Sequence, residues 1–490
     1  MTKTERDERG LGGTERGGTD PDGAAPPAHK ARGAAFAALL GSDARLLAFA
    51  RRAAWILVPL TLAVVALLYG TGPEPRRNWL GDGLGVDFSQ IWVAGRAALE
   101  GRAGEPYDLP VHLANLAAAF GPECRFAWHY PPVFLLPAAA LAAWEPQPAF
   151  WLWTALSLGV FALAMGIAAG RRDGAWIALA HPLVLCTLVY GQNALFTAGL
   201  LTLGATLVDR RPRLAGLCFG LLCYKPHFAV LAPLLLLATG RRACLGACLS
   251  TMLALCAASL AAFGPAAWIG FFETLGATNR IILRDAGAGL DLNVSAFGAV
   301  RLAGGTMAAA WAVQGLVALA ALALALQSWR GPTPEPLRAA ALLAAVPLLS
   351  PYVPVYDLAP LVPATLFLVL AARDAGGLRW PERALLCATP LFALPRVVAD
   401  LTGVPLGLGL SLAVFACVAL RVLRPGADPT RPGPSTDPRP GAASRRSSPI
   451  AARKRPTRTS PSPSSSSTST TSRTSTPLTG TAPGTKRSAS

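Results

Sequence analysis

A chain in which long apolar runs alternate with clusters of arginine has few folds open to it. Runs such as 55–68, 231–237 and 316–326 carry no charge, and the stretches between are punctuated by Arg51-Arg52, Arg171-Arg172, Arg210-Arg211 with Arg213, Arg241-Arg242, Arg330, Arg373, and Arg421 with Arg424. Runs of this kind partition into lipid, and arginines beside them mark the cytoplasmic side. Only 14% of the residues are charged and 52% are hydrophobic, whereas a soluble domain carries about 25% charged residues. The expectation is an all-α polytopic membrane protein.

The basic clusters set the phase of the crossings. Residues 53–69 lead outward into a long polar loop reaching Tyr130. The apolar stretch 129–144 is short and holds three prolines, so it is expected to lie in the outer interface. Counting it as a crossing would put Arg171 and Arg172 outside. Crossings then follow at 150–169, 175–189, 195–208, 214–224, 228–238, 243–262, 308–327, 337–349, 358–372, 380–397 and 404–422, with a second outer loop over 263–305. That makes about twelve spans, both termini cytoplasmic, in the cell (plasma) membrane. Two spans, 214–224 and 228–238, are shorter than the roughly 20 residues a bilayer asks for; they read as a half-inserted hairpin carrying Lys225 at membrane depth.

Three regions result: a cytoplasmic tail with an interfacial helix (1–52), the membrane domain (53–424) and a Ser/Thr/Pro-rich tail (425–490). The net charge is +17, but that last tail holds eleven Lys or Arg against two Asp, so +9 sits there. Low-complexity sequence of this kind buries no core. Its Arg453-Lys454-Arg455 suits anionic lipid headgroups, and nucleic acid is not an expected partner. The nine cysteines show no CxxC or His/Cys metal spacing, so neither a disulfide framework nor a zinc site is expected.

Polar groups at membrane depth are costly and mark function. On this topology the outward face collects Asp87, His129, Tyr130, Gln192, Asn193, Lys225, His227, Arg280, Arg284, Asn293, Tyr352, Tyr356 and Asp357. Asp87 opens a short helix expected to be amphipathic. A carboxylate among cations at an interface suits an anionic lipid headgroup meeting a neutral acceptor. Each residue also has a plainer reading. Asp87 and Asp357 can cap helices, Lys225 can snorkel, and His129 can be a packed interfacial residue. Arg280 and Arg284 share a helix face but can pair with Glu273 and Asp285, while Gln192 and Asn193 are ordinary turn residues.

The motifs Asp87-Phe-x-x-Ile-Trp-x-Ala-Gly95, Pro106-Tyr-Asp108, Tyr130-Pro-Pro132, Gly191-Gln-Asn193, Tyr224-Lys-Pro226, Asn293-x-Ser295 and Ser350-Pro-x-x-x-x-Tyr-Asp-Leu358 occur in that order. Together they resemble glycosyltransferase family 87 of the GT-C superfamily, over about residues 50–425. The resemblance implies a GT-C-like bundle that moves a sugar, mannose-like, from a polyprenyl phosphate to a glycolipid or glycan acceptor outside the cytoplasm. Asp87 occupies the position of the acidic base. Lys225, His129, Arg280 and Arg284 would stabilise the leaving phosphate, with Asp357, Tyr356, Gln192, Asn193 and Asn293 as further candidates. Phosphate is a competent leaving group, so no cofactor is expected. Some GT-C relatives do use a divalent metal, and Asp87 with Asp357 is the pair to hold one. Tyr352 stands where some members carry a histidine. The competing class is a transporter or lipid-linked-sugar flippase, which predicts ionisable residues midway through spans; here they gather at one end.

Overall fold

The computed structural model describes residues 41–70, 76–80, 83–170, 172–279, 283 and 289–424, all within one compact unit. Residues 34–40 of the interfacial helix expected over 34–52, the whole basic tail from 425, and Arg280 and Arg284 lie outside the described residues. What is described is helical, with two isolated bridges in place of any sheet. Among the described residues, six helices are long and apolar enough to cross a membrane, and the other apolar helices are shorter.

The first, α1, runs unbroken over Asp43–Gly70. A boundary near residue 52 was expected, but Arg51-Arg52-Ala53-Ala54 are good helix formers and nothing there stops the helix. From the far end of α1 the chain enters α2 (Phe88–Leu99), α3 (Leu109–Phe120) and α4 (Leu135–Ala142) before α5 (Pro146–Ala169) returns. With eight residues, α4 is far too short to cross. The α2 helix is not amphipathic as expected: ten of its twelve residues are buried. It is roofed by neighbours on both sides, and at Gly95 a side chain would meet the Ala138 carbonyl oxygen of α4 at 2.0 Å. Only glycine allows the two backbones this close.

Several expected spans are built from pieces, and proline is the reason each time. Residues 175–189 divide into α6 (Arg172–Leu179) and α7 (Pro182–Val189). After α8 (Ala194–Leu207), α9 (Pro212–Gly220) tightens into a 3-10 turn at Leu221–Tyr224, and Pro226 opens α10 (Pro226–Ala229), followed by α11 (Leu231–Ala238). A proline has no N–H to donate and disfavours helix in the residue before it, so α7, α9 and α10 each restart on one. The α12 helix (Arg242–Asn279) kinks at Gly264, whose φ of 73° is not helical, and at Pro265. It then resumes where a loop from residue 263 was expected. The second half lays Gly270 against Tyr107, and Phe271 edge-on to the same ring at 6.1 Å.

The remaining helices are α13 (Ala296–Leu302), α14 (Met307–Arg330), α15 (Glu335–Leu349), α16 (Leu361–Asp374), α17 (Trp380–Cys387), α18 (Pro395–Thr402) and α19 (Leu406–Leu423). The expected span 380–397 is not one helix: it is α17, a 3-10 turn over Thr389–Ala393 and the start of α18, broken at Pro390 and Pro395. At the centre stands α15, eleven of whose fifteen residues are buried, packed by α8, α14, α16 and α19. Its alanines let these neighbours approach from all sides, since contact area between helices in lipid comes from close backbone packing.

One end of the bundle is closed by ion pairs. Asp209 receives Arg241 and Arg338, Asp43 receives Arg383 at 2.8 Å, and buried Glu382 receives Arg421 at 2.5 Å. Of these arginines, Arg241 and Arg421 are ones that the sequence pattern assigns to topology alone.

Replacing Gly95 by Val should force α2 and α4 apart and cost about 2–4 kcal/mol. The expected outcome is a lower apparent Tm in detergent, with a smaller loss for Gly159→Val in α5, where a Cβ meets nothing within 4 Å.

Candidate active site

The other end of the bundle gathers polar side chains from segments far apart in sequence. The turn before α2 begins it. Gly85 has φ 64° and Val86 φ 46°. A β-branched residue at positive φ is strained, and the turn is held because Gly191 sits directly on it. A side chain at Gly191 would lie 2.4 Å from the Gly85 carbonyl oxygen. The Asp87 N–H donates to the Tyr190 carbonyl at 3.1 Å, and the Trp153 indole donates to the Gly191 carbonyl at 2.9 Å. The two loops are locked backbone to backbone.

This frame decides between the readings of Asp87. It stands at the N-cap position of α2, yet its side chain makes no capping bond. Its carboxylate instead accepts from Gln192 Nε2 at 2.6 Å and from the Tyr356 hydroxyl. Gln192 is the hub. Its Nε2 also reaches the Tyr356 hydroxyl at 3.3 Å, while its Oε1 accepts from the Tyr130 hydroxyl at 3.0 Å and from the Asn193 N–H at 3.3 Å. With both donors on Oε1, the amide nitrogen has to face Asp87. Next to it, Lys225 Nζ donates to Asn193 Oδ1 at 3.1 Å and to Asp357 Oδ1 at 2.5 Å. Lys225 and Asp357 are 5% and 2% exposed. A snorkelling lysine would reach for the surface; this one points into the cluster.

Two carboxylates to one ammonium leave the cluster short of positive charge. Burial pushes the Asp87 pKa up from 3.8 to about 6, and the nearby Asp357 adds to this. The hydrogen bonds from Gln192 and Tyr356, and the charge of Lys225, pull the other way.

Other expected residues stand elsewhere. His129 lies beside His112, and burial lowers its pKa to about 4, so at neutral pH it brings no charge to a phosphate. His227 is exposed on α10. Asn293 works on the backbone: its amide donates to the Pro351 carbonyl at 3.1 Å and its Oδ1 accepts from Val353 N–H at 3.0 Å. With Ser295, which donates to the same carbonyl at 2.6 Å, it fixes the segment that delivers Tyr356 and Asp357. Arg280 and Arg284 are outside the described residues.

One cation near the site escaped the sequence reading. Arg396 at the start of α18 donates to Asp291 at 2.9 Å and to the Tyr190 hydroxyl at 2.5 Å, and the Tyr190 ring is 5.3 Å from that of Tyr356. Its signal was the Pro390 and Pro395 spacing, which ends the span the sequence reading ran through Arg396.

As placed, Asp87 accepts from an amide and Asp357 from an ammonium. Among the described residues no group of three or more His, Cys, Asp or Glu is arranged around a common point.

The sequence profile of glycosyltransferase family 87 matches residues 128–351. The matched stretch includes Tyr130, Gln192, Asn193 and Lys225 and stops short of Asp87, Tyr356 and Asp357. No curated protein and no solved structure matches the chain.

A carboxyl group whose pKa is raised on folding costs stability once pH passes from about 4 to above 6, because the unfolded chain gives up the proton that the folded one keeps. Asp87→Asn should therefore stabilise the protein at pH 7, by up to about 3 kcal/mol, and leave stability at pH 4 nearly unchanged. Removing Lys225 should do the reverse. Lys225→Met strands Asp357 and should cost about 3–5 kcal/mol, most of it recovered in Lys225→Met/Asp357→Asn. Apparent Tm across the four Lys225 and Asp357 combinations checks this.

Proposed function

Because the chain belongs to glycosyltransferase family 87, making it a membrane glycosyltransferase, we propose that it transfers a mannose-like sugar from a polyprenyl-phosphate donor to a glycolipid or glycan acceptor on the extracytoplasmic side. One observation carries this reading: a buried carboxylate with a raised pKa, aimed by Gln192, shares one polar cluster with a buried lysine at one end of an apolar bundle.

The chemistry is a single displacement. The acceptor hydroxyl gives its proton to Asp87 as its oxygen attacks the anomeric carbon. The bond from that carbon to the donor's phosphate oxygen breaks on the opposite face, and the electron pair leaves with the lipid phosphate. Configuration inverts through an oxocarbenium-like transition state. Lys225 meets the charge gained by the phosphate; held in a dry cluster, it acts far more strongly than it would in water. Asp357 keeps Lys225 in place, and Tyr356 and Gln192 keep Asp87 turned toward the acceptor.

Sidedness follows from charge. Arg210, Arg211, Arg241, Arg330, Arg338, Arg373, Arg383 and Arg421 stand at the ends of helices opposite the site. The positive-inside rule makes that end cytoplasmic. The six long helices, with α6–α7, α8, α9 with its 3-10 turn, α10–α11, α15 and α17 with its turn, are the segments that would make up about twelve spans in a GT-C-like bundle, α9 and α10–α11 as the half-inserted hairpin.

The test is sugar transfer in liposomes from radiolabelled polyprenyl-phosphate mannose to a glycolipid extract. With Asp87 as base, wild-type kcat/KM rises with pH through about 6 and then levels, since only the ionised carboxylate accepts the proton. Asp87→Asn should lose about 10²–10⁴-fold while remaining folded. Equal rates for wild type and Asp87→Asn would overturn the assignment of the base.

A further inference from the structure

At the end of the bundle opposite the candidate active site, two arginines converge on one carboxylate. They come from the loop after α11 and the first turn of α15, and the carboxylate follows α8. Arg241 Nη1 donates to Asp209 Oδ1, and Arg338 Nη2 donates to Oδ2. Trp329, next to last in α14, holds both arginines. Its indole donates to the Arg338 carbonyl at 3.2 Å, and the Arg241 guanidinium lies 5.5 Å from the centre of its ring. Two cations on one anion leave the trio positive. Among the described residues nothing accepts from Nε of either arginine, although both atoms are buried. Arg241 Nη2 and Arg338 Nη1 also make no hydrogen bond there. The two side chains are 21% and 15% exposed, and these terminal nitrogens are the part that an incoming group can reach.

The surroundings carry the same sign. Arg210, Arg211, Arg242 and Arg330 are exposed beside the trio. Arg210 reaches Glu335 at 3.7 Å, and Arg330 donates to the Ala238 carbonyl at 3.4 Å. Six arginines thus face two carboxylates. Helices α9, α12 and α15 all begin here and bring their positive ends to the cluster. Next to it, Leu214 and Leu217 on α9 and Leu234 and Leu237 on α11 are exposed, as side chains that face lipid are.

We propose that Arg241 and Arg338 form a binding site for the phosphate of an anionic lipid, in the leaflet that the arginine clusters mark as cytoplasmic. The inference is independent of the transferase reading and uses the sidedness argued above only to name the leaflet. A guanidinium spreads its charge over three nitrogens, so a phosphate oxygen on the free edge of each arginine is drawn by the whole cation. Trp329 and Asp209 hold the two planes before the headgroup arrives. Asp209 is also the anion that the headgroup competes with. A basic pocket between spans on the cytoplasmic side suits a lipid headgroup. A ligand whose acyl chains settle on Leu214 and Leu237 gains apolar burial that a soluble phosphate does not.

The probe is phosphatidylglycerol, with phosphatidylcholine as a lipid of similar size and no net charge. Full-length protein freed of lipid by detergent exchange is titrated with mixed micelles of each. Bound lipid is counted by native mass spectrometry, with apparent Tm followed in parallel. Phosphatidylglycerol should bind about tenfold more tightly than phosphatidylcholine and raise the apparent Tm. Arg338→Gln should weaken it about fivefold, the worth of one arginine near a lipid phosphate. Arg373→Gln, which removes the same charge from the exposed end of α16, should leave binding unchanged. Should Arg338→Gln fail to fold, Asp209→Asn carries the test: it removes the competing carboxylate and should tighten binding. Equal affinity for the two lipids, equal losses in Arg338→Gln and Arg373→Gln, or binding loosened or unchanged in Asp209→Asn would each overturn the proposal. Displacement of phosphatidylglycerol by glycerol 1-phosphate, against chloride at equal ionic strength, would assign the site to a soluble phosphate and overturn the lipid. Micelles have no leaflets and no sugar is present, so none of these outcomes depends on sidedness or on transfer.

Discussion

An ammonium and a carboxylate buried together at the end of an apolar bundle are the constraint around which the site is arranged. Each ion alone would cost several kcal/mol to remove from water, so Lys225 and Asp357 have to meet, and the chain between and around them is shaped to let them. Asn193 takes a second proton of the ammonium, and its neighbour Gln192 passes the network on to Asp87. Burial holds the proton on Asp87 to higher pH than on an exposed aspartate, and because Asp357 already occupies Lys225, the positive charge that could offset this is only partly available. A base near neutral pKa is what proton abstraction from a sugar hydroxyl needs. The same charge deficit has a second consequence. An arriving phosphate adds another negative charge, so it must share Lys225 with Asp357 rather than find a cation waiting free.

The division of labour between the two ends of the bundle follows from solvent. At the arginine-rich end, Asp209 is shared by Arg241 and Arg338, an arrangement that stitches loops and is partly open to water. At the site end Asp87, Gln192, Asn193, Lys225 and Asp357 are all buried. Polar interactions therefore gain strength at one end and are screened at the other.

How much of this was legible depended on which physical signal each feature leaves. Apolar runs and arginine clusters are one-dimensional signals, and they placed α14, α15 and α19 to within three residues at each end and the far ends of α1 and α5 to within one. The motifs around Asp87, Gln192, Lys225 and Asp357 named four members of the cluster without saying how they connect. That Gln192 is the hub was hidden, because a glutamine in a Gly-Gln-Asn turn looks the same whether its amide meets water or a carboxylate 105 residues away. Breaks within spans were underread: Pro182, Pro390 and Pro395 were on view, but hydropathy averages over them. Burial of most of α2 was invisible, since its Ser89 and Gln90 mimic a wet face. Only contact with α4 through Gly95 shows that the face is roofed.

The 132 residues between Lys225 and Asp357 also govern how the protein is made. At about 5–20 residues per second of synthesis, the lysine enters the membrane roughly 10 s before its counter-ion leaves the ribosome. Asn193 and Gln192 are already in place by then, so the early partner of the ammonium is the amide of Asn193, and the carboxylate arrives to complete the pair. The site thus comes into being last, when the segment after α15 docks between α7 and α8. A chain cut short before residue 357 has most of its helices yet carries a lysine without the carboxylate that completes its pair.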